Sequence, residues 1–335
     1  MNIKTVYIEI TNRCNLNCRT CYNRSGLNRH TEEISVEQLE QIIETTSRYG
    51  ANRFLFSGGE PSLHSRFHEV LNLIDRYPQY SFGFVTNGTN QDPSWIDFLN
   101  SHDNLTLQIS LDGSCEERNG LTRGAGNFEK TFSFAQKIQN PKLKPLLKMV
   151  ISQNNLDDVE PFYRLALSVG FIPEFAFIYK SGNGSDEWEN KALSAQQKIK
   201  ILKLIDKLNH LHRVEAYLPK CTSTCPFASS AEKMSVCIKV DGSLQPCQSL
   251  YASEFTLGNI FNFDEKYVFH KLEQLTDIAR RRTTLDFGCQ KCMLNSVCGR
   301  GCMAEAFLLT ADPLGCDDGC MYRKLQFLNF DIKKQ

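Results

Sequence analysis

The sequence predicts an α/β protein, in which an open or partial barrel of parallel strands is followed by a small cysteine-rich module. Two observations predict this fold. Strand-like and helix-like segments alternate through residues 1–213, as they do in successive β–α units with right-handed crossovers. Ten of the fourteen cysteines then fall between residues 221 and 320. We therefore expect one domain over residues 1–213 and a second over residues 214–335.

Six β–α units are predicted, fewer than the eight of a closed barrel. Ser35 and Gln38 form a capping box that begins the first helix, and Gly50 is suited to end it. Residues 181–186 are rich in glycine and serine, which predicts a flexible connection before the last helix. The predicted strands are 4–11, 53–57, 81–86, 105–111, 145–152 and 171–179, and the predicted helices are 35–49, 64–77, 93–101, 127–139, 156–169 and 194–213.

The composition limits the location and the partners of the chain. Its 38 basic and 38 acidic residues cancel, so charge gives no reason to expect binding to nucleic acid or to a membrane. No apolar run has the length of a membrane span, and the N-terminus lacks the pattern of a signal peptide. We therefore expect a cytoplasmic protein. Thiols stay reduced in the cytosol, so fourteen cysteines predict bound metal rather than disulfides.

Three cysteines lie on the loop that follows the first predicted strand. Cys14, Cys18 and Cys21 have the spacing C-x3-C-x2-C. Three such thiolates can hold three irons of a four-iron cluster and leave the fourth iron open to a small molecule. A zinc site is the alternative, but zinc normally takes four ligands, and only His30 lies near this loop in the sequence.

A second motif follows one β–α unit later, in the sequence Ser-Gly-Gly-Glu-Pro over residues 57–61. Together the two motifs resemble those of the radical S-adenosylmethionine (SAM) enzymes. That family usually has an aromatic residue before the third cysteine, whereas this chain has Thr20 there and Tyr22 after it. The resemblance implies a partial (β/α)6 TIM-type barrel, bound SAM, and a [4Fe-4S] cluster on the three cysteines of the loop.

The resemblance also implies SAM contacts after the second, third and fourth strands. The Gly-Gly-Glu segment would bind the amino group of SAM, and the absence of side chains on its glycines lets a ligand approach closely. Arg123 is the candidate for the methionine carboxylate, because a guanidinium can pair bidentately. Asn-Gly and Asp-Gly are also ordinary turn dipeptides, which is the alternative for the later positions. The candidate SAM-binding residues are Gly58, Gly59, Glu60, Asn87, Ser110 and Arg123.

The C-terminal cysteines form a second pattern. Four of them have the spacing C-x2-C-x5-C-x3-C, which in isolation would favour a zinc ribbon. A predicted β-hairpin over residues 236–247 precedes them, and two further cysteines follow. The ensemble resembles the SPASM domain, which carries two auxiliary four-iron clusters in some radical SAM enzymes. The implied ligands are Cys221, Cys225, Cys247 and Cys302 for auxiliary cluster I, and Cys289, Cys292, Cys298 and Cys320 for auxiliary cluster II.

Two of these assignments stay open, because Cys237 could replace Cys221 or Cys225, and Cys316 could replace Cys320. Cys115 belongs to neither group. A buried inert thiol is the ordinary interpretation of such a cysteine. Cys115, however, follows the fourth strand, on the face that carries the chemistry of α/β barrels. We therefore hypothesise that its thiol donates a hydrogen atom to a substrate radical.

The resemblance implies an enzyme that cleaves SAM reductively to methionine and a 5′-deoxyadenosyl radical, which abstracts a hydrogen atom from a substrate. A ribosomally made peptide that is cross-linked, cyclised or epimerised is the favoured substrate. A radical SAM dehydrogenase or epimerase of a small molecule, such as an aminocyclitol or a cofactor precursor, is the alternative. Sulfatase maturation is disfavoured, because Gln248 and Ser249 follow Cys247 where those enzymes have an acidic residue.

The expected partners follow from the same resemblance. The first strand begins by residue 4, so we expect either a separate leader-binding protein or a short substrate that binds the barrel directly. A flavodoxin or ferredoxin would supply electrons. A different class of protein stays open, namely an iron–sulfur electron carrier or a zinc-stabilised binding module without radical chemistry. The Gly-Gly-Glu-Pro segment argues against a carrier, which needs no SAM pocket.

Overall fold

The computed structural model describes residues 3–26, 31–216, 225, 227, 234–285 and 288–329. Its centre is a sheet with the strand order β6-β5-β4-β3-β2-β1-β7-β8-β9. The strands from β6 to β7 in this order are parallel, and β8 and β9 continue the sheet in antiparallel fashion. The strands are β1 (Ile3–Thr11), β2 (Arg53–Gly58), β3 (Ser81–Thr86), β4 (Leu105–Ser110), β5 (Leu146–Ile151), β6 (Ile172–Phe177), β7 (Met234–Ile238), β8 (Ser243–Gln245) and β9 (Gly258–Asn259).

Helices connect the strands and complete the C-terminal region. None of the helices in the described part of the chain has the length and hydropathy that a membrane span requires. The α-helices of the described residues are α1 (Val36–Ser47), α2 (Phe67–Asp75), α3 (Pro93–Ser101), α4 (Glu116–Arg123), α5 (Phe128–Lys137), α6 (Val159–Ser168), α7 (Asn183–Lys191), α8 (Ala195–His212), α9 (Glu265–Thr284), α10 (Asn295–Cys298), α11 (Met303–Thr310) and α12 (Cys320–Asn329).

The predicted α/β fold with six parallel β–α units is confirmed, because β1 to β6 correspond to the six predicted strands. Helix α1 begins with the predicted capping box, in which the Ser35 hydroxyl accepts from the Gln38 N–H and the Gln38 side chain accepts from the Ser35 N–H. Gly50 follows this helix with a φ of 93°, a conformation that favours glycine.

Two helices of the barrel region, residues 1–213, were not predicted, and one of them corrects an expectation. Residues 181–186 are not a flexible connection, because α7 begins at Asn183. Gly182 has a φ of 57°, and the Asn183 N–H donates to the carbonyl of Cys21 at 2.8 Å. This segment is therefore held by distant residues, which its own composition could not indicate. The short helix α4 was likewise missed, since its eight residues are mostly polar.

One face of the sheet packs against helices and forms the core. Phe56 and Phe84 on neighbouring strands contact each other, and Phe84 also contacts the rings of Phe67 on α2 and Trp95 on α3. These side chains are at most 5% exposed. Burial of such aromatic surface is the main stabilising contribution to the barrel. Successive residues of a strand alternate between faces, so polar residues can occupy the opposite face without disrupting this core.

That opposite face carries charged and polar side chains. In the register of the sheet, Glu9 pairs with Ser57, and Lys148 pairs with both Ser110 and Glu174. The ammonium group of Lys148 lies 3.0 Å from a carboxylate oxygen of Glu174. A sheet face with this composition suits a polar ligand better than it suits packing against a helix.

The predicted hairpin over residues 236–247 is confirmed by antiparallel pairing of β7 with β8. Gly242 turns between them with a φ of 80°, and a Cβ atom there would lie 2.4 Å from the ring of Phe261. Strand β7 also pairs in parallel with β1, where Tyr7 is opposite Cys237. The C-terminal region therefore extends the sheet of the barrel, and our division of the chain after residue 213 remains a proposal.

Candidate functional site

The first three cysteines lie on the loop that leaves the carboxyl end of β1, as the sequence predicted. Burial raises the pKa of Cys14 to about 11 and the pKa of Cys18 to about 12, and the nearby guanidinium of Arg123 partly opposes both shifts. These thiols and that of Cys21 are free of disulfides. We refer to residues 12–24 as the cluster loop.

The Gly-Gly-Glu segment after β2 packs directly on the cluster loop. The Gly59 N–H donates to the carbonyl of Thr11, and the Glu60 N–H donates to the carbonyl of Arg13, both at 2.7 Å. A Cβ atom on Gly58 would lie 2.2 Å from the Thr11 carbonyl oxygen, and one on Gly59 would lie 2.1 Å from that of Arg13. The steric reason for both glycines is therefore this contact with the protein's own loop.

Glu60 is 1% exposed, and its carboxylate accepts hydrogen bonds from Ser62, Thr86 and Asn87. One oxygen accepts from Thr86 and Ser62, and the other accepts from the backbone N–H of Asn87 at 2.6 Å. Burial raises the pKa of Glu60, and these hydrogen bonds partly oppose the rise. Glu60 thus ties the end of β3 to the Gly-Gly-Glu segment.

Asn87 also contacts the cluster loop. Its amide donates to the side-chain oxygen of Asn15 at 2.8 Å, and the amide of Asn15 donates to the hydroxyl of Thr89 at the same distance. The side chain that was predicted to contact SAM therefore orients the loop between Cys14 and Cys18. Sequence reasoning missed Asn15, and nothing in its local sequence distinguishes it.

Arg123 lies at the end of α4, between a buried carboxylate and the cluster loop. Its Nε atom is 2.9 Å from an oxygen of Asp112, and the two side chains are 10% and 0% exposed. Its Nη1 atom lies 4.0 Å from the sulfur of Cys18. Burial alone would lower the pKa of Arg123, but the charge of Asp112 and the proximity of Cys18 raise it overall. The guanidinium is therefore a fixed positive charge beside the cysteines.

Asp112 is a site residue that sequence reasoning treated as part of a turn. Its other carboxylate oxygen accepts from the backbone N–H of Val150 at 2.8 Å, so the side chain also joins β4 to β5. The only local signal was the position of the Asp-Gly pair directly after a strand. Because strands of a parallel sheet end at the same edge, that position brings it to the functional edge of the barrel.

A segment far along the chain closes the cluster loop from the other side. The side-chain amide of Asn183 donates to the carbonyl of Cys18 at 2.8 Å, and the hydroxyl of Ser181 donates to the carbonyl of Tyr22 at 3.0 Å. A Cβ atom on Gly182 would lie 2.3 Å from the carbonyl oxygen of Cys21. Residues 181–183, which we call the clamp, therefore hold the backbone on which the second and third cysteines stand.

The two remaining barrel candidates lie near β4. Ser110 is the last residue of that strand and pairs with Lys148 in the sheet. Cys115 is exposed and directly precedes α4, where its carbonyl accepts from the Asn119 N–H at 2.9 Å. Cys115 is therefore not the buried inert thiol that the ordinary interpretation assumed.

Three of the four cysteines predicted for auxiliary cluster I lie together. Burial raises the pKa of Cys247 to about 12, and the proximity of Cys302 and Cys225 adds to the rise. The pKa of Cys225 is raised to about 11, again mainly by burial. Cys221 lies outside the described residues. The alternative ligand Cys237 is buried on β7, close to Cys247 and Glu9.

The cysteines predicted for auxiliary cluster II gather around Arg300 and Arg323. Burial raises the pKa of Cys289, and the proximity of Cys316, Cys320 and Cys298 adds to the rise. The Nε atom of Arg323 donates to the sulfur of Cys298 at 3.0 Å, and a guanidinium nitrogen of Arg300 donates to that of Cys316 at 2.9 Å. Cys292 is close to this group, since its N–H donates to the carbonyl of Cys289. The choice between Cys316 and Cys320 stays open, because both lie near Cys289.

Within the described ranges, no group of three histidine, cysteine, aspartate or glutamate side chains is arranged to hold a single ion. His30, the other residue considered for zinc, lies outside the described residues.

Comparison with known proteins identifies the barrel. Residues 8–166 match the family model described as the Radical SAM superfamily. The chain carries a radical SAM domain. Members of this superfamily are enzymes, and the motifs that define the cluster loop and the Gly-Gly-Glu segment both fall inside the matched residues.

Relatives that match most of the chain are also found. The chain is 28% identical over 323 residues to the mycofactocin maturase MftC of Mycolicibacterium smegmatis, which covers 93% of this chain and 81% of that protein. Among solved structures, anSMEcpe with bound AdoMet superimposes with a TM-score of 0.77 at 21% identity, over 98% of this chain and 97% of the other. Streptococcus suis SuiB bound to precursor peptide SuiA superimposes with a TM-score of 0.76 at 14% identity, over 95% of this chain and 75% of the other. Both solved structures share the fold of this chain, in the radical SAM domain and in the C-terminal region.

Proposed function

We propose that this radical SAM enzyme modifies a ribosomally made peptide by hydrogen-atom abstraction, which leads to a cross-link, a ring or an inverted stereocentre. The observation that carries the proposal is a loop with three free thiols, packed on the Gly-Gly-Glu segment at the open edge of the barrel. A maturase that matches 93% of the chain supports a peptide substrate.

Cys14, Cys18 and Cys21 would hold the SAM-binding [4Fe-4S] cluster. The residues present fit such a group, because the thiols are free and the guanidinium of Arg123 offsets the negative charge that a cluster brings. When bound, the cluster and SAM together supply the 5′-deoxyadenosyl radical, and the protein contributes binding and orientation.

The chain's own residues prepare that chemistry in three ways. Glu60 and Asn87 hold the cluster loop in place, and the clamp holds its far side. The carbonyl groups of Gly58 and Gly59 would accept from the amino group of SAM. Arg123 would attract the methionine carboxylate, and Ser110 would contact SAM from the end of β4. The polar face of the sheet would orient the peptide and limit quenching by water.

We further propose two auxiliary [4Fe-4S] clusters in the C-terminal region, which would make three clusters in all. Their ligands are those that the SPASM resemblance implies. The two groups of neighbouring thiols around Cys247 and Cys289 support this assignment. Cluster binding would stabilise the region, because metal binding and folding are coupled where ligands come from distant segments.

Cys115 is proposed as the hydrogen-atom donor to the substrate radical. Its exposure at the start of α4 makes the thiol accessible to a bound substrate. Replacement of Cys115 by alanine should stop product formation in an epimerisation while SAM cleavage continues. Unchanged turnover and unchanged product would end this hypothesis.

The proposed partners are a precursor peptide, a leader-binding protein and an electron donor of the flavodoxin or ferredoxin type. Free thiols throughout the described residues support a reducing compartment, and we propose the cytoplasm. Within the chain, residues 1–213 would carry SAM and substrate, and residues 214–335 would carry the auxiliary clusters.

The test is SAM cleavage by anaerobically reconstituted, dithionite-reduced protein, followed as 5′-deoxyadenosine by mass spectrometry. The variant with Cys14, Cys18 and Cys21 replaced by alanine is the control. We expect cysteine-dependent 5′-deoxyadenosine that increases when a precursor peptide encoded near this protein is added. No 5′-deoxyadenosine from protein with its full iron content and with peptide present would favour an electron carrier instead.

A further inference from the structure

A buried ion pair lies between the two groups of C-terminal cysteines. Arg323 on α12 and Asp317 are 3% and 5% exposed. Two guanidinium nitrogens of Arg323 donate to the two carboxylate oxygens of Asp317, at 2.9 and 2.5 Å. Such a bidentate pair has a fixed geometry as well as a charge on each side. Sequence reasoning assigned no role to either residue.

Each member of the pair also contacts one group of cysteines. The third guanidinium nitrogen of Arg323, its Nε atom, donates to the sulfur of Cys298 at 3.0 Å. On the other side, a carboxylate oxygen of Asp317 accepts from the backbone N–H of Cys302 at 2.8 Å. A continuous path of hydrogen bonds therefore runs from Cys302 through Asp317 and Arg323 to Cys298. Cys302 and Cys298 are assigned to different auxiliary clusters.

Two glycines lie against this path. A Cβ atom on Gly301 would lie 2.0 Å from a carboxylate oxygen of Asp317, and one on Gly319 would lie 2.5 Å from Arg323. Gly301 also has a φ of 76°, which favours glycine. The backbone therefore approaches the ion pair closely at both positions.

Breaking a buried ion pair by removing one partner is costly, yet apolar residues often replace a whole pair without loss of stability. Hydrogen bonds to cluster sulfurs and nearby charge, in contrast, set the reduction potential of an iron–sulfur cluster. A positive charge stabilises the reduced state, because that state carries one more negative charge than the oxidised state.

We propose that Arg323 and Asp317 form a redox-positioning bridge, which sets the reduction potentials of the two auxiliary clusters and couples them. Arg323 would favour the reduced state of the cluster held by Cys298, and the carboxylate of Asp317 would oppose reduction of the cluster held by Cys302. This inference rests on the auxiliary-cluster assignment made above.

The test is a potentiometric titration followed by electron paramagnetic resonance, in full-length protein in which Cys14, Cys18 and Cys21 are replaced by alanine. Only the auxiliary clusters report in that background. Arg323→Gln should lower the reduction potential of the cluster held by Cys298. At a fixed solution potential, the ratio of reduced to oxidised cluster should then fall at least about tenfold, which corresponds to 59 mV for one electron. Asp317→Asn should raise the reduction potential of the cluster held by Cys302. Exposed Lys324 is the matched control, and Lys324→Gln should change neither potential, since its charge is screened.

Iron content separates the two levels of the proposal. The background protein should hold about eight irons if two auxiliary clusters form, and fewer would refute the assignment rather than the bridge. Full iron with unchanged potentials in Arg323→Gln would overturn the bridge. If Arg323→Gln loses iron, Arg323→Lys decides, because it keeps the charge without the fork. Retained iron with a shifted potential of the cluster held by Cys298 supports the bridge, because the hydrogen-bonded fork is then what sets the potential. Retained iron with unchanged potentials overturns the bridge, and so does loss of iron from both variants, which would indicate a purely structural role.

Discussion

The cluster loop and the C-terminal cysteine groups would hold the same kind of cofactor, but the chain supports them differently. The cluster loop receives hydrogen bonds from three later parts of the barrel, which include Glu60, Asn87 and the clamp. Among the described side chains of residues 288–329, few buried ones are hydrophobic, and buried charges lie between the cysteines. In that stretch the described buried hydrophobic residues are Met303, Ala304, Ala306 and Tyr322. The first site is built by the fold, whereas we expect the second to depend on bound metal for much of its stability.

Removal of iron should show the difference between the two regions most clearly. Anaerobic chelation of the reconstituted protein should raise protease sensitivity within residues 288–329 by about tenfold or more, because metal binding supplies much of the stability there. The barrel over residues 31–216 should stay protected by its own core. Limited proteolysis with mass spectrometry measures both regions, with the iron-loaded protein as the control. Cleavage of the barrel first would contradict the difference that we infer.

The second largest effect is expected at the buried ion pair beside the cluster loop. Arg123→Ala leaves the carboxylate of Asp112 buried without its partner, which should cost about 3–5 kcal/mol in the free energy of unfolding. The matched control is Arg118→Ala, which breaks an exposed pair with Asp157 and should cost about 0–1 kcal/mol. Urea denaturation of both variants measures the difference. Equal losses would mean that Arg123 does not stabilise the barrel site.

Gly182 offers a sharper test of the clamp. Gly182→Ala places a Cβ atom 2.3 Å from the carbonyl oxygen of Cys21 and forces a left-handed conformation, so the clamp must move away. Gly170 has a φ of 75° with open space around it, and Gly170→Ala should cost only the conformational strain of about 1–2 kcal/mol. We expect a larger loss of stability in Gly182→Ala, together with weaker binding of the first cluster. Iron analysis of the two variants would refute the clamp if both retained their iron equally.

The smallest expected effect is at Asn183. Asn183→Ala removes one hydrogen bond to the carbonyl of Cys18, which is worth about 1 kcal/mol. Asn104→Ala removes a comparable bond to the carbonyl of Tyr80, away from the cysteines. Both variants should lower the free energy of unfolding to a similar extent. Only Asn183→Ala should alter the electron paramagnetic resonance spectrum of the SAM-binding cluster. An unaltered spectrum would show that the loop is held without this contact.

Much of the barrel could be predicted from the sequence because its signals are local. Apolar runs bounded by turn residues predicted β1 to β6, and the Ser35–Gln38 capping box predicted the start of α1. The same holds for the cysteine loop, whose position after β1 follows from its neighbours in the chain. Local signals failed at α7, where a stretch rich in glycine and serine is ordered by contacts with Cys18 and Cys21.

The sequence by itself determined the α/β class, the six units, the two cysteine patterns and the radical SAM resemblance, since each depends on residue types at short spacing. Only the tertiary structure decided that β7 joins the sheet beside β1, that Asp112 faces Arg123, and that Asp317 and Arg323 connect two cysteine groups. These contacts bring together side chains and strands that no local pattern relates, because their pairing depends on how the whole chain packs.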